Sequence, residues 1–373
     1  MWLTGGAGEG KSAIAQSLVE LCHDENLLLG NFFCGRSDGT RNNARAFVAT
    51  LAYQILRLAP AVETQILSVI ENDPLIFERS LDVQFKQLIV EPLSSLCTTN
   101  STQQSMSNRV IVIDGLDELL NVQQQVEIIQ IISCAIRESH LPVLFFITSR
   151  PELQIVRQFS SYEMVGIYER LLLGNDYGPN EDIRQFLEQS FAEIRESNAV
   201  SPQWPSNEDI LALVQKSHGQ FVYAATAVKY IQSTPHQPLD ELQNVLNTVP
   251  DNGGSSGPFA ELDALYSMIL SSVPNTNRVL YALGMAIFNV ASSPHLDVRE
   301  FMKLDVGLDT FFSRLNGTLV RVEGPRMSNF CILHASFQDF LQDRSRSKKY
   351  FMPIESYRTQ YLAQILTYIG QCE

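Results

Sequence analysis

The sequence predicts an α/β fold in its first half, a parallel sheet covered by helices on both faces, followed by a largely helical second half. Three observations predict it. Leu27–Cys34, Arg109–Leu119, Leu141–Thr148 and Tyr162–Leu172 read as strands, the first three largely apolar, with helical stretches between them. Strands of that kind, alternating with helices, belong to parallel sheets buried on both sides. From Asn180 onward the strand signal gives way to helical spacing, punctuated at Asp251–Pro258 (DNGGSSGP) by a linker.

Each element has its own signal. A glycine-rich stretch, Gly5 to Gly10, leads into a helix from Ser12 to about Glu20. Only Trp2 and Leu3 precede Thr4, fewer than the roughly five residues of an ordinary strand, so the chain is expected to begin inside its first strand. Asn42–Leu58 has helical spacing through Phe47, Leu51, Ile55 and Leu58, and Val62–Ile70 and Val83–Leu96 follow it. Thr98–Asn108 is polar and reads as a surface loop; the next helix carries Val126, Ile129, Ile132 and Ile136 on one side. Asp182–Ile194, Asn207–Lys216, Gln220–Ile231 and Leu239–Val249 are helical. Beyond the linker come Phe259–Ser272, Arg278–Phe288, Val298–Leu304 and Thr310–Leu315. Thr318–Val322 and Phe330–Leu333 read as a hairpin turning through Glu323-Gly324-Pro325, and the helix Ala335–Asp343 follows. Helices followed by a two-stranded wing predict a winged-helix domain. The expected organisation is a core over 1–175, a helical domain over 176–250, the linker 251–258, the winged helix over 259–350 and the start of a further helical segment over 351–373.

Bulk properties exclude several function classes. A net charge of −14 offers no basic face to displace counterions from a nucleic acid. Basic residues cluster only at Arg344, Arg346, Lys348 and Lys349, expected as a solvated helix end. None of the six cysteines forms a C-x-x-C pair or joins a His/Cys cluster, so reduced thiols in a cytoplasmic protein are expected. No apolar run reaches the length of a membrane helix, and no signal-peptide pattern follows Met1.

Two motifs carry chemistry. Gly5-Gly6-Ala7-Gly8-Glu9-Gly10-Lys11-Ser12, leading into Ala13, fits G-x-x-x-x-G-K-S/T, a phosphate-binding loop. Its glycines let successive N–H groups point inward at phosphate oxygens, and the helix that follows presents its amino-terminal amides to the same anion. Lys11 suits the β- and γ-phosphates, and the Ser12 hydroxyl suits Mg²⁺. The second motif is Val110–Ile113 followed by Asp114-Gly115-Leu116-Asp117-Glu118. It places a carboxylate at the carboxyl edge of a sheet, where α/β ligands bind. Asp114 is the candidate for the Mg²⁺ shell, and Asp117 and Glu118 for orienting or deprotonating a water. Arg150, after the next apolar strand, is placed to contact a γ-phosphate. Arg36 and Arg41 face either the phosphates or solvent.

WLTGGAGEGKSAIA, FFCGR, RVIVIDGLDEL and FFITSRPE, in this order, resemble the NACHT family of signal-transduction nucleoside triphosphatases, in its fungal NOD-like form. The resemblance covers most of the chain. It implies a P-loop core, a helical domain and a winged helix closing over ADP. It further implies phosphate and metal binding by Lys11 and Ser12, metal binding by Asp114, hydrolytic roles for Asp117 and Glu118, and a sensor role for Arg150. Ile332–Leu341 (ILHASFQDFL) is similar to the winged-helix histidine motif of NOD-like receptors, which implies that His334 touches the β-phosphate of ADP; read from its residues alone, His334 is a helix cap. Gly219-Gln220-Phe221 stands where relatives carry Gly-x-Pro, leaving the choice between ATP and GTP open.

The leading expectation is therefore a nucleotide switch that binds ATP or ADP with Mg²⁺ and hydrolyses the β–γ bond slowly. Self-association on activation is implied, as are effector and sensor domains outside this chain. One alternative is an ADP-locked scaffold without turnover. Another is a phosphotransferase, which the long helical half argues against.

Overall fold

The computed structural model describes residues 1–96, 109–138, 141, 143–174, 178–198, 200–233, 237–250, 257–288, 298–304, 311–323 and 329–369. The expected loop at Thr98–Asn108 and most of the linker at Asp251–Pro258 lie outside these residues. The chain divides into two units: Met1–Gly6 with Gly10–Leu173, and Ala7–Glu9 with Gly174–Glu373.

In the first unit, strand β1 (Trp2–Thr4) leads through the glycine loop to helix α1 (Lys11–Asp24), and β2 (Leu28–Phe33) follows. Helices α2 (Phe47–Leu58), α3 (Glu63–Asn72), α4 (Leu81–Phe85) and α5 (Glu91–Leu96) come next, the last two joined by a π-helical turn at Lys86–Val90. Strand β3 (Arg109–Asp114), helix α6 (Val122–Glu138), β4 (Val143–Ser149), α7 (Leu153–Phe159) and β5 (Arg170–Leu172) complete it. The sheet has the order β2-β3-β4-β1-β5, and every pairing is parallel.

Strand alternation divides the apolar residues between two faces. Trp2, Leu29, Phe32, Ile111, Ile113, Phe145 and Ile147 join the larger core with α2, α3 and α6. Leu3, Leu28, Val112 and Phe146 pack against Ala15 and Cys22 of α1. The α/β reading with a parallel sheet holds. The expected strand Tyr162–Leu172 is mostly not one: Tyr162–Met164 is a 3₁₀ turn, and only Arg170–Leu172 pairs, on one side, with β1. As an edge strand it leaves all three of its residues exposed, which accounts for its weak apolar signal.

Among its described residues, the second unit is built of helices and one hairpin. It runs through α8 (Pro179–Asn198), α9 (Asn207–Ser217), α10 (Phe221–Ser233), α11 (Pro238–Asn247), α12 (Ala260–Ser271), α13 (Thr276–Ile287) and α14 (Val298–Phe301). Strands β6 (Val320–Glu323) and β7 (Asn329–Ile332) pair antiparallel, and α15 (Ala335–Gln342), α16 (Arg344–Ser347) and α17 (Ile354–Ile369) follow. One continuous core links these elements, from Leu187 and Phe191 through Tyr223, Leu265, Phe312 and Phe337 to Tyr361.

Two expectations are corrected here. The helix expected at Thr310–Leu315 is, over its described residues, a series of turns after Phe311. Phe312 and Leu315 are fully buried, so their spacing serves packing without a helix. The basic cluster is not wholly solvated either. Arg346 makes a bidentate pair with Asp263, at 2.7 and 3.0 Å, and its guanidinium lies 4.8 Å from the Phe259 ring centroid. A planar fork matched to a carboxylate and an aromatic face explains why an arginine stands there.

Candidate functional site

Strand register brings three chain segments to one edge of the first unit's sheet. Thr4 pairs with Ser149 and Ile113 with Ile147, so β1, β4 and β3 end side by side. The chain leaves β1 into the glycine loop, β3 at Asp114 and β4 at Ser149. Gly10 caps α1 at φ 89°, a left-handed conformation that glycine adopts without penalty. Its carbonyl accepts from Ile14 N–H at 3.0 Å. The Lys11 ammonium folds back on the loop, donating to the carbonyls of Gly5 at 2.9 Å and Gly6 at 2.6 Å. That contact holds the cation at the loop.

Asp114 is buried at the end of β3 and accepts a 2.6 Å hydrogen bond from the Thr148 hydroxyl. Thr148 in turn accepts from Gly115 N–H at 2.9 Å. Gly115 sits at φ 68°, so that the chain can reverse directly after the strand. Burial raises the Asp114 carboxyl above its ordinary range, while hydrogen bonds from the Thr148 and Ser12 hydroxyls and the Lys11 charge draw it back. A buried carboxylate only partly compensated by its neighbours fits a cation. Ser12 and Asp114, brought together from β1's exit and β3's end, are the protein groups that would hold Mg²⁺. Among the described residues no cluster of three or more His, Cys, Asp or Glu could hold a metal alone.

Asp117 and Glu118 lie on a 3₁₀ turn, Leu116–Glu118. Asp117 is buried and serves Arg150: it accepts the Arg150 backbone N–H at 2.9 Å and pairs with the guanidinium Nε at 3.3 Å. Glu118 accepts the Arg36 N–H at 3.2 Å. Burial, then the Asp117 charge, pushes its carboxyl up to about 7. Burial and the three carboxylates, Glu118 foremost, also hold the Cys34 thiol well above its usual range. Arg41 is bound to Asp38 at 2.7 Å on the surface.

Glu118 thus predicts a pH dependence of stability. From about 4.5 to about 7 the folded carboxyl keeps its proton while the unfolded one loses it. The folded state then binds more protons, so stability falls as pH rises through that window. Wild type is expected to lose roughly 1–3 kcal/mol more than Glu118→Gln between pH 4.5 and 7.5 in urea titrations. Parallel curves for the two proteins would refute it.

The structure therefore brings together Gly5, Gly6, Gly10, Lys11, Ser12, Ala13, Asp114, Asp117, Glu118 and Arg150 in the first unit. Ala7, Gly8 and Glu9, at the loop tip, group with the second unit, as does His334. His334 follows β7 and precedes α15 without capping it through its side chain, and its Nε2 is buried with no hydrogen-bond partner among the described residues. Burial, then the Lys229 charge, lowers the His334 imidazole to about 4, so it is neutral at pH 7. Sequence reasoning missed Thr148, Gln125 and Trp2. Gln125 donates to the carbonyls of Asp117 and Leu119, fixing the acidic turn. Trp2 donates to the Ser149 hydroxyl at 2.9 Å and stacks on Phe159. A threonine ending an apolar strand was the one visible signal among these.

Comparisons with known proteins add a partial match. A family model described as Nephrocystin 3, N-terminal, matches residues 1–150, less than half of the chain. No curated protein matches the sequence. Among solved structures, one titled "Structure of Drosophila ORC bound to DNA" is similar at a TM-score of 0.39 and 13% identity, over 87% of this chain and 82% of that one. A likeness that loose fixes neither fold nor function. No described helix is long and apolar enough to cross a membrane.

Proposed function

We propose that this chain is a NACHT-type switch, built on a P-loop core with a winged helix in its second half, that binds ATP or ADP with Mg²⁺ and hydrolyses ATP slowly. The observation that carries the reading is one constellation: the Lys11 ammonium on its own loop carbonyls, beside a Ser12 hydroxyl hydrogen-bonded to a buried, partly compensated Asp114. Such an edge offers a cation and turned amides to phosphate, and a hydroxyl with a carboxylate to a metal. When bound, Mg²⁺ would neutralise phosphate charge.

The chain's own groups divide the remaining work. Glu118, poised at about 7, accepts the proton of the attacking water as its oxygen bonds to the γ-phosphorus and the bond to the β–γ bridging oxygen breaks. Asp117 is committed to Arg150 and positions that guanidinium, the candidate γ-phosphate sensor. His334 takes the terminal phosphate of ADP in this reading. Self-association on activation, effector and sensor segments elsewhere and a cytoplasmic location belong to the same proposal, with no nucleic acid or membrane as partner.

The Asp117–Arg150 pair also favours a second reading, an ADP-locked scaffold, because it occupies two of the groups that hydrolysis would use. One experiment decides between them: ATP turnover without an acceptor, with the nucleotide released on denaturation identified by mass. Turnover supports the switch; bound ADP without turnover supports the scaffold; neither nucleotide nor turnover refutes both.

The histidine gives a separate prediction. Replacing His334 by Leu removes a donor to a charged group, worth about 1.5–3 kcal/mol. ADP is expected to leave roughly ten- to a hundredfold faster in stopped flow, with ATP affinity much less affected. An unchanged off-rate would leave His334 a structural residue only.

A further inference from the structure

Two cavities in the first unit share one residue, Glu127 of α6. The first, of about 380 Å³, is lined also by Gln84 of α4 and Gln124 of α6. The second, of about 410 Å³, takes Asp82, Phe85 and Val90 from α4 and the π-helical turn after it, and Ile131, Ala135 and Glu138 from α6. Helical spacing explains the shared wall. Gln124, Glu127, Ile131 and Glu138 follow one another at three, four and seven residues and so stand along one face of α6.

The charges around Glu127 do not cancel. In the first cavity both guanidinium groups are committed elsewhere, Arg45 to Glu78 and Arg79 to Asp73, each at 3.1 Å. The second sets Asp82, Glu127 and Glu138 against one ammonium, Lys86. Among the described residues Glu127 makes no hydrogen bond or ion pair. Burial, then the Asp82 charge, raises its carboxyl above the ordinary range. Gln84 supplies an independent observation. It is buried, and its amide is oriented, with Nε2 donating to the carbonyls of Phe77 at 3.2 Å and Arg79 at 2.7 Å. That leaves Oε1 a buried acceptor with no donor among the described residues. A carboxylate and an amide oxygen on one cavity both call for N–H donors, and the carboxylate calls for positive charge. Phe85, Val90, Ile131 and Ala135 give the second cavity an apolar lining, which a hydrocarbon stem covers and a bare metal ion does not.

We propose that these cavities form a binding site for an alkylguanidinium, its head on Glu127 and Gln84 and its stem on Phe85, Val90 and Ile131. A guanidinium is planar and carries several N–H donors, enough for a carboxylate and an amide oxygen together. The site shares no residue with the glycine loop or the acidic turn, so it does not rest on nucleotide binding. The guanidinium comes from an arginine side chain of a partner protein or from a free small molecule; the two sources separate experimentally.

Butylguanidinium and methylguanidinium are titrated calorimetrically into the full wild-type chain. The butyl compound is expected to bind with a Kd below about 1 mM, at least about tenfold tighter than the methyl one because of its stem. Glu127→Gln should weaken it at least about tenfold, through loss of the charge that meets the head. Without ligand that variant should melt no lower than wild type, because it relieves the repulsion from Asp82. Lys86→Met removes the competing ammonium and should tighten binding about two- to fivefold. No binding of butylguanidinium, equal binding with and without the Glu127 charge, or no gain from the butyl stem overturns the proposal. Should Glu127→Gln fail to fold, unchanged affinity in Lys86→Met decides against the site. A second arm titrates a blocked peptide carrying one arginine between leucines. Affinity at least about tenfold above butylguanidinium, lost in Glu127→Gln, identifies an arginine of a partner protein; a smaller gain or none identifies a free small molecule.

Discussion

Glu118→Gln is expected to lower ATP turnover by about 10²–10⁴-fold while ATP stays bound, the range that a positioned general base supplies. Glutamine keeps the shape and can still accept the Arg36 N–H, now 3.2 Å from the carboxylate, so the acidic turn should persist. What it loses is basicity. With its carboxyl pushed up to about 7, Glu118 is divided between its two forms near neutrality, the condition in which a base takes a proton and readily returns it. Asp117→Asn should also slow turnover with nucleotide retained, by a different route: the amide holds the Arg150 guanidinium less firmly. The two variants are separable by pH. The rise of turnover with pH near 7 should vanish in Glu118→Gln and survive in Asp117→Asn. Wild-type rates in both, measured as phosphate release under saturating ATP, would reduce the acidic pair to a structural turn.

Replacing Lys11 by Ala should weaken nucleotide binding at least tenfold, from the loss of a charge-assisted contact worth about 1.5–3 kcal/mol. The fold should tolerate the change. Lys11 lies at the first position of α1, and its ammonium donates to the loop carbonyls of Gly5 and Gly6. Alanine also has higher helix propensity than lysine. Calorimetry with ATP tests the affinity, and far-ultraviolet circular dichroism with thermal melting tests the fold. Equal affinity in a folded variant would remove the phosphate-loop assignment, and with it the proposed switch.

The sequence by itself determined which elements form and where their chemistry lies along the chain. Apolar runs such as Ile111–Ile113 and Phe145–Ile147 specify strands buried on both faces, because alternation then has no solvent side to mark. Glycines at 8, 10 and 115 mark turns, since all three adopt positive φ. The same local logic misjudged most of Tyr162–Leu172, where Tyr162, Val165, Leu171 and Leu172 are exposed, and the described part of Thr310–Leu315, where buried Phe312 and Leu315 pack from turns. Only the tertiary structure decided what the site residues are paired with. Asp114 meets Thr148 and Asp117 meets Arg150 across more than thirty residues of chain, through the register of β3 and β4. The raised carboxyl of Glu118, the ion pair of Arg346 with Asp263, and the burial of the His334 Nε2 arise in the same way. Desolvation and charge pairing depend on which distant segments exclude water from a group, and periodicity along a single segment carries no record of them.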